Sequence, residues 1–336
     1  MHGRFAIIDA MQEQNELEEQ LDSFDPERRG QALEKLAART DLYGDENANV
    51  NMHCHSFFSY NARGYSPSHI VWEARKAGLY AAGLCDFDIL DGLEEFIAAG
   101  ELLGLRTAVN VETRAFVNEC ADADINSPGE PGVTYIMGAG FAREAQAGSP
   151  QAEALQVYRR RAQERNRALI ARINPHLPDI AVDYEEDVLP LTPSGSATER
   201  HIISAYINKS EEFFEHPGRV ADFWAQVLQQ DFEETAAMLA ERPTLEEKAR
   251  ARLVKRGGLG YEQPSAGTFP PLEDFVQCVL TCEALPMITW LDGTQKAERD
   301  ARGMLEHMVR KGCVALNIIP ERNWNISDPE QARIKR

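Results

Sequence analysis

Two histidines, His53 and His55, stand two residues apart in the stretch NVNMHCH, where Val50, Met52 and Cys54 alternate with Asn51, His53 and His55. On a strand that period puts both imidazoles on one side and aims them at one point, as neighbouring ligands of a cation require. The next two apolar runs end in carboxylates, Asp86 and Asp88 in CDFD and Glu112 in NVETR. If these runs are successive parallel strands, their ends share a rim, and two histidines converge with two or three carboxylates. Such a mixed set suits Zn²⁺, Mn²⁺ or Fe²⁺. The ion would activate a water molecule and polarise a substrate oxygen. On this reading His53, His55 and Glu112 are ligands, Asp86 bridges or ligates, and Asp88 is an acid or a partner behind the ligands. Arg114, two residues beyond Glu112 on the same strand face, and Arg322 in IIPERNW are candidates to hold an anionic substrate, although a surface ion pair is the simpler role for either.

The elements that must position these groups are legible in the punctuation. Ser66 caps a helix opened by Pro67, carried by Ile70, Val71, Ala74 and Ala77 and stopped by Gly78. YAAGLCDF is a second strand, 91–103 a second helix closed by Gly104, and RTAVNVETRAFV a third strand. Strand and helix alternate at βαβ spacing, which predicts a parallel sheet or barrel with its chemistry at the strand C-terminal ends. ADADINSPGEPGVT, at 121–134, is a polar, turn-rich loop expected at that end. Residues 150–255 are dominated by charged helical patterns and form an insertion. After the return GGLGYEQPSAGTFPP the alternation resumes as helix 272–284, strand LPMITWL, helix 296–311 and strand CVALNIIP. Ahead of all this, residues 8–40 carry Leu17, Leu21, Leu33 and Leu36 on a polar background, the pattern of a helical packing arm without chemistry of its own. The expected organisation is a helical extension (1–45), a first barrel part (46–145), a helical insertion (146–270) and a second barrel part (271–336).

Composition narrows the function classes. The 336 residues carry a formal charge of −19, which argues against a broad nucleic-acid backbone footprint, since that needs clustered Lys and Arg. A small anionic substrate at a metal cluster remains compatible, because the ion reverses the local field. No long apolar run predicts a membrane span, and the N-terminus lacks the features of a secretory signal, so the expected location is cytoplasmic. The six cysteines, mostly inside apolar runs, suit reduced thiols, with Cys278 and Cys282 packing in a helix. His69, His176, His216 and His307 have the contexts of structural or solvated residues.

The order HxHSxxS, a helix opened by Ser-Pro, a strand ending in an Asp pair and a third strand ending in Val-Glu resembles the PHP family (polymerase and histidinol phosphatase), in its stand-alone phosphoesterase branch. The likeness runs over 49–142, more weakly over 196–209 and 272–325, and is absent before residue 45. It implies an α/β fold, a distorted (β/α)7 TIM-like barrel with a mainly helical insertion, binding one to three divalent ions and hydrolysing a phosphoester of a small phosphorylated metabolite or nucleotide. TERHIISAYINK, at 198–209, resembles the segment that returns a histidine to the metal site, which makes His201 a further ligand and Arg200 a phosphate contact with a catalytic part. The family pattern is broken where Tyr60 replaces an Asp, Phe87 a His and Tyr135-Ile136 another His, while Asp292 in LPMITWLDGT stands near an expected histidine as a substitute ligand. The family's closing strand and last Asp-x-His motif have no counterpart before ARIKR, as in a truncated chain with an open sheet edge. The competing expectation is a catalytically degenerate relative that binds a ligand or partner. A metal-assisted C–N hydrolase ranks below both, because no lysine is placed to bridge metals.

Overall fold

The computed structural model describes residues 2–291, 295–317, 319, 329–330 and 333. In chain order the elements are α1 (His2–Gln20), α2 (Pro26–Ala37), β1 (Val50–Cys54), α3 (Pro67–Lys76), β2 (Ala81–Phe87), α4 (Leu93–Leu103), β3 (Arg106–Phe116), β4 (Val133–Ala139), α5 (Pro150–Ile173), α6 (Glu199–Phe214), α7 (Pro217–Leu228), α8 (Phe232–Ala240), α9 (Arg242–Leu253), α10 (Leu272–Thr281), β5 (Leu285–Thr289), α11 (Ala301–Arg310) and β6 (Ala315–Asn317). The six strands lie in the order β1-β2-β3-β4-β5-β6. β1 with β2, β2 with β3, and β5 with β6 pair in parallel. The in-order parallel run β1-β2-β3, with a helix between successive strands, is the βαβ arrangement expected from sequence. β4 departs from an all-parallel sheet: the Gly140 N–H bonds Val109 O near the start of β3 and the Val117 N–H bonds Gly132 O, so β3 and β4 run antiparallel. Six strands are present among the described residues where the resemblance implies seven.

Local chemistry explains the first βα repeats. The Ser66 hydroxyl accepts the His69 N–H at 3.1 Å, Pro67 opens α3, and Gly78 ends it at φ +66°. Gly104, at φ +66°, closes α4. β4 is an element that the sequence reading does not contain. Gly132 and Gly140, at φ +78° and +79°, bound it, and Gly138 within it is needed because a Cβ there would stand 2.7 Å from Val279 and 2.9 Å from Phe141. The long helical pattern of 222–256 is broken into α7, α8 and α9, first by Gln229 at φ +57° and then by Pro243.

The chain divides into two compact units: Met1–Thr113 with Met137–Ala152 and Val279–Pro286, and Arg114–Ile136 with Glu153–Cys278 and Met287–Arg336. In the first, Trp72, Phe96, Leu84 and Leu93 are fully buried, and Leu21, Leu33 and Leu36 of the N-terminal arm join the buried set. In the second, α6 to α9 enclose a core that includes Tyr206, Trp224, Leu245 and Leu253. Trp224 donates its Nε1–H to Ser210 Oγ at 2.8 Å, so the polar edge of that buried indole is satisfied. All six cysteines are free thiols. Among the described residues no helix is long and apolar enough to cross a membrane.

Candidate metal centre

β1 is not regular. Val50 and Asn51 pair with Ala81 and Ala82, but Cys54 pairs with Leu84, so one extra residue is inserted between Asn51 and Cys54. His53 lies in this bulge, and the bulge re-aims its side chain. The glycine at position 83 makes room for it: a Cβ there would lie 2.6–2.8 Å from the Met52 backbone. Asn110 of β3 secures the same peptide by donating Nδ2–H to Met52 O at 3.1 Å. A Gly83→Ala protein is expected to lose about 1–3 kcal/mol of stability and to bind Zn²⁺ at least roughly ten-fold more weakly, because backbone rather than a flexible side chain must move. Urea unfolding and equilibrium dialysis check the two effects.

With the bulge in place, His53 Nε2 lies 3.4 Å and His55 Nε2 3.5 Å from Glu112 Oε2. One ligand atom from each of the three residues lies within 4.8 Å of the others, and among the described residues this is the candidate metal-holding group. Donors about 2.1 Å from a tetrahedral Zn²⁺ stand about 3.4 Å apart, so the two printed spacings fit a single ion. Glu112 is buried, while His53 and His55 are partly exposed, which leaves the group reachable from solvent on the imidazole side. His55 is stacked on Phe87, centroids 4.4 Å apart at 21°. Where the resemblance places a histidine, this chain therefore has a ring that orients a histidine.

Asp86 is 1% exposed. Its Oδ1 accepts the Ser56 N–H at 2.7 Å and the Ser59 hydroxyl at 2.6 Å, and its Oδ2 accepts the Ser56 hydroxyl at 2.7 Å. Burial pushes its carboxyl up to about 6, against the pull of these donors. Asp86 thus anchors the loop that follows His55, and Ser59 Oγ also lies 3.4 Å from His55 Nδ1. The two serines are visible in the sequence as part of HxHSxxS, but only the fold shows what they hold. Asp88 occupies the left-handed region at φ +61°, donates its backbone N–H to Glu112 O at 2.9 Å and accepts the Thr113 hydroxyl on Oδ1. It braces the strand end on both sides of Glu112.

The other expected residues belong to the second unit or lie outside the described residues. Arg114 is 3.4 Å from Glu130 and lies over the Phe269 ring at 4.3 Å. Arg200 forms an ion pair with Glu247. Beside it, Glu199 takes Lys255 at 2.8 Å and Arg250 Nε at 2.7 Å; burial would raise this carboxyl, but Lys255, Arg250 and Arg114 outweigh it and hold it at about 2. His201 is buried at the start of α6, with Nδ1 accepting the Thr198 N–H at 3.0 Å. Asp292 and Arg322 lie outside the described residues.

Burial lowers the His201 imidazole to about 4. The unfolded value is near 6.5, so the stability contributed by the neutral ring is complete above that pH and is lost as pH falls through the folded value. The expected loss is roughly 3 kcal/mol between those limits. A His201→Gln protein is expected to show a flatter acid limb in urea unfolding over this window.

No family model matches the chain, and no curated protein matches it. Among solved structures, it is similar to a protein from Bifidobacterium adolescentis assigned as a metal-dependent phosphoesterase, at 18% identity and TM-score 0.52 over 86% of this chain and 82% of that one. It is also similar to an amidohydrolase from Chromobacterium violaceum solved with bound sulfate and no metal, at 17% identity and TM-score 0.50 over 80% of this chain and 76% of that one. The chain shares the mixed α/β fold of these two hydrolases.

Proposed function

We propose that this protein is a metal-dependent hydrolase that cleaves a phosphoester of a small phosphorylated metabolite or nucleotide. The observation that carries the reading is the convergence of His53, His55 and Glu112 at single-ion spacing. A divalent ion held there would supply Lewis-acid activation of water and neutralisation of phosphoryl charge. The chain's own residues then have separable tasks. Glu112 and the two imidazoles hold the ion, with Asp86, Ser56 and Ser59 fixing the loop behind His55. Asp88 braces Glu112 through Thr113 and the Glu112 carbonyl, and in the phosphatase reading also serves as the acid. Arg114 and Arg200 are assigned to the anionic part of the substrate, His201 to a further ligand position, and Arg322 and Asp292 keep the roles expected from sequence. The named activity of the Bifidobacterium neighbour agrees with a phosphoester substrate.

The second reading, a protein of the same fold that binds a ligand or partner without catalysis, rests on Phe87. Its ring is packed against His55 at the position where the resemblance implies another ligand. Elemental analysis of the purified chain, beside a His53→Ala/His55→Ala double variant and a phosphate-release assay supplemented with Mn²⁺, separates the two. The hydrolase reading expects about one or more equivalents of transition metal, lost in the variant together with phosphate release. Bound metal without phosphate release leaves the binding reading, and a folded chain that takes up no metal overturns both the ligand assignment and the hydrolase.

A further inference from the structure

Residues 1–45 are the part of the chain for which the sequence offers packing and nothing more. The contacts of this segment point elsewhere. Arg29 of α2 is only 4% exposed, and a buried guanidinium persists only where its donors are met. Its Nη2 meets Glu95 Oε2 at 2.5 Å, its Nε meets Oε1 at 3.0 Å, and its Nη1 donates to Ser23 O at 2.8 Å. Glu95 Oε1 also accepts the Ser68 N–H at 3.1 Å and the Ser68 hydroxyl at 2.8 Å, which ties the fork to the first turn of α3. The same guanidinium lies 5.2 Å from the Phe57 ring centroid and 6.0 Å from that of Phe58. Phe24 meets Phe57 edge-on, centroids 5.7 Å apart at 82°.

Phe57 and Phe58 follow His55 and Ser56 directly. The other end of this loop is gripped as well: Asp22 Oδ1 accepts the N–H of Ser66, the α3 cap, at 2.8 Å, and Asp22 Oδ2 lies 2.8 Å from His69 Nδ1. The loop is therefore held from two sides, by Asp86 through Ser56 and Ser59 and by residues 22–29 through Phe57, Phe58 and Ser66. Leu21, Leu33 and Leu36 already bury the apolar side of the arm, so packing alone does not call for a buried arginine fork against two loop aromatics.

We propose that Arg29 and Phe24, supplied by the N-terminal helical arm, are positioning residues for the loop that carries His55, which makes the arm a working part of the metal centre. The functional consequence rests on the reading of His53, His55 and Glu112 as ligands. The positioning itself is measurable without metal. Amide hydrogen exchange in the metal-free full chain is expected to quicken about ten-fold or more at residues 56–60 in Phe24→Ala and in Arg29→Lys, while Ala82–Asp86 of β2 keep their protection. A Leu33→Ala chain, which weakens the arm's apolar packing but keeps Phe24 and Arg29, is expected to leave the loop's exchange relative to β2 unchanged. Titration with Co²⁺ is expected to show at least roughly ten-fold weaker binding and an altered visible absorption in the first two variants but not in the third. Loop exchange unchanged in Phe24→Ala and Arg29→Lys, quickened equally in β2, or reproduced by Leu33→Ala overturns the proposal. A wild-type chain that binds no Co²⁺ overturns the ligand assignment instead, and the exchange pattern still decides whether the arm positions the loop.

Discussion

Replacing Glu112 with glutamine is expected to weaken divalent-metal binding by roughly 100-fold or more and to reduce metal-dependent hydrolysis to background, with little change in fold. Glu112 Oε2 is the atom that both imidazoles share, at 3.4 and 3.5 Å, and it supplies the negative charge of the group. Two neutral imidazoles and an amide oxygen retain the shape of the site, but they no longer offset the charge of a dication. The backbone that places residue 112 is unaffected by the change, since Phe87 pairs with Glu112 in the β2–β3 register and the Asp88 N–H bonds its carbonyl. Calorimetric titration with Zn²⁺ and Mn²⁺, with thermal unfolding of the metal-free variant as the control for folding, makes the measurement. Metal affinity within a few-fold of wild type would remove Glu112 from the ligand set.

Asp86→Ala is expected to be the most destabilising of these substitutions, by about 3–5 kcal/mol, although Asp86 makes no apolar contribution. Its side chain collects three donors from Ser56 and Ser59, and removal strands a backbone N–H and two hydroxyls in a site that is 1% exposed. Each buried donor left unmet costs about 1–3 kcal/mol, and the serine hydroxyls recover part of this by rotating. Urea unfolding reads the loss. Loss of metal affinity should accompany it, since Ser59 also contacts His55. A variant less than about 1 kcal/mol below wild type would mean that water or loop rearrangement meets the donors as well as the carboxylate does.

Much of the centre was legible because its grammar is local. HxH on a strand, carboxylates at the ends of the next two strands, and Ser66-Pro67 before a helix are short-range patterns whose physical causes, period two, cap donors and fixed φ, do not depend on distant contacts. These patterns put forward His53, His55 and Glu112 as candidates, and the structure brings the three together. The Tyr60 and Phe87 departures were equally visible as residue types. That Phe87 stacks on His55 was not, because nothing in the local pattern states which ring a strand-end aromatic will meet.

The tertiary structure decided the remainder. The bulge at His53 depends on Gly83 in one neighbouring strand and Asn110 in the next but one, so period-two counting along β1 cannot reveal it. Asp86 has the residue type of a ligand, yet its donors come from the loop after β1, thirty positions back, and burial there pushes its carboxyl up to about 6. The arm is the sharpest case. Its leucines announce a packing helix, whereas the contacts of Arg29 are made with Glu95, 66 residues on, and with two aromatics of the loop after His55. Sequence alone determined which chemical groups this protein brings to its site, because residue type and local period are written into the chain. Only the folded structure decided how those groups are aimed and held, because aim and support come from contacts between residues that the chain keeps far apart.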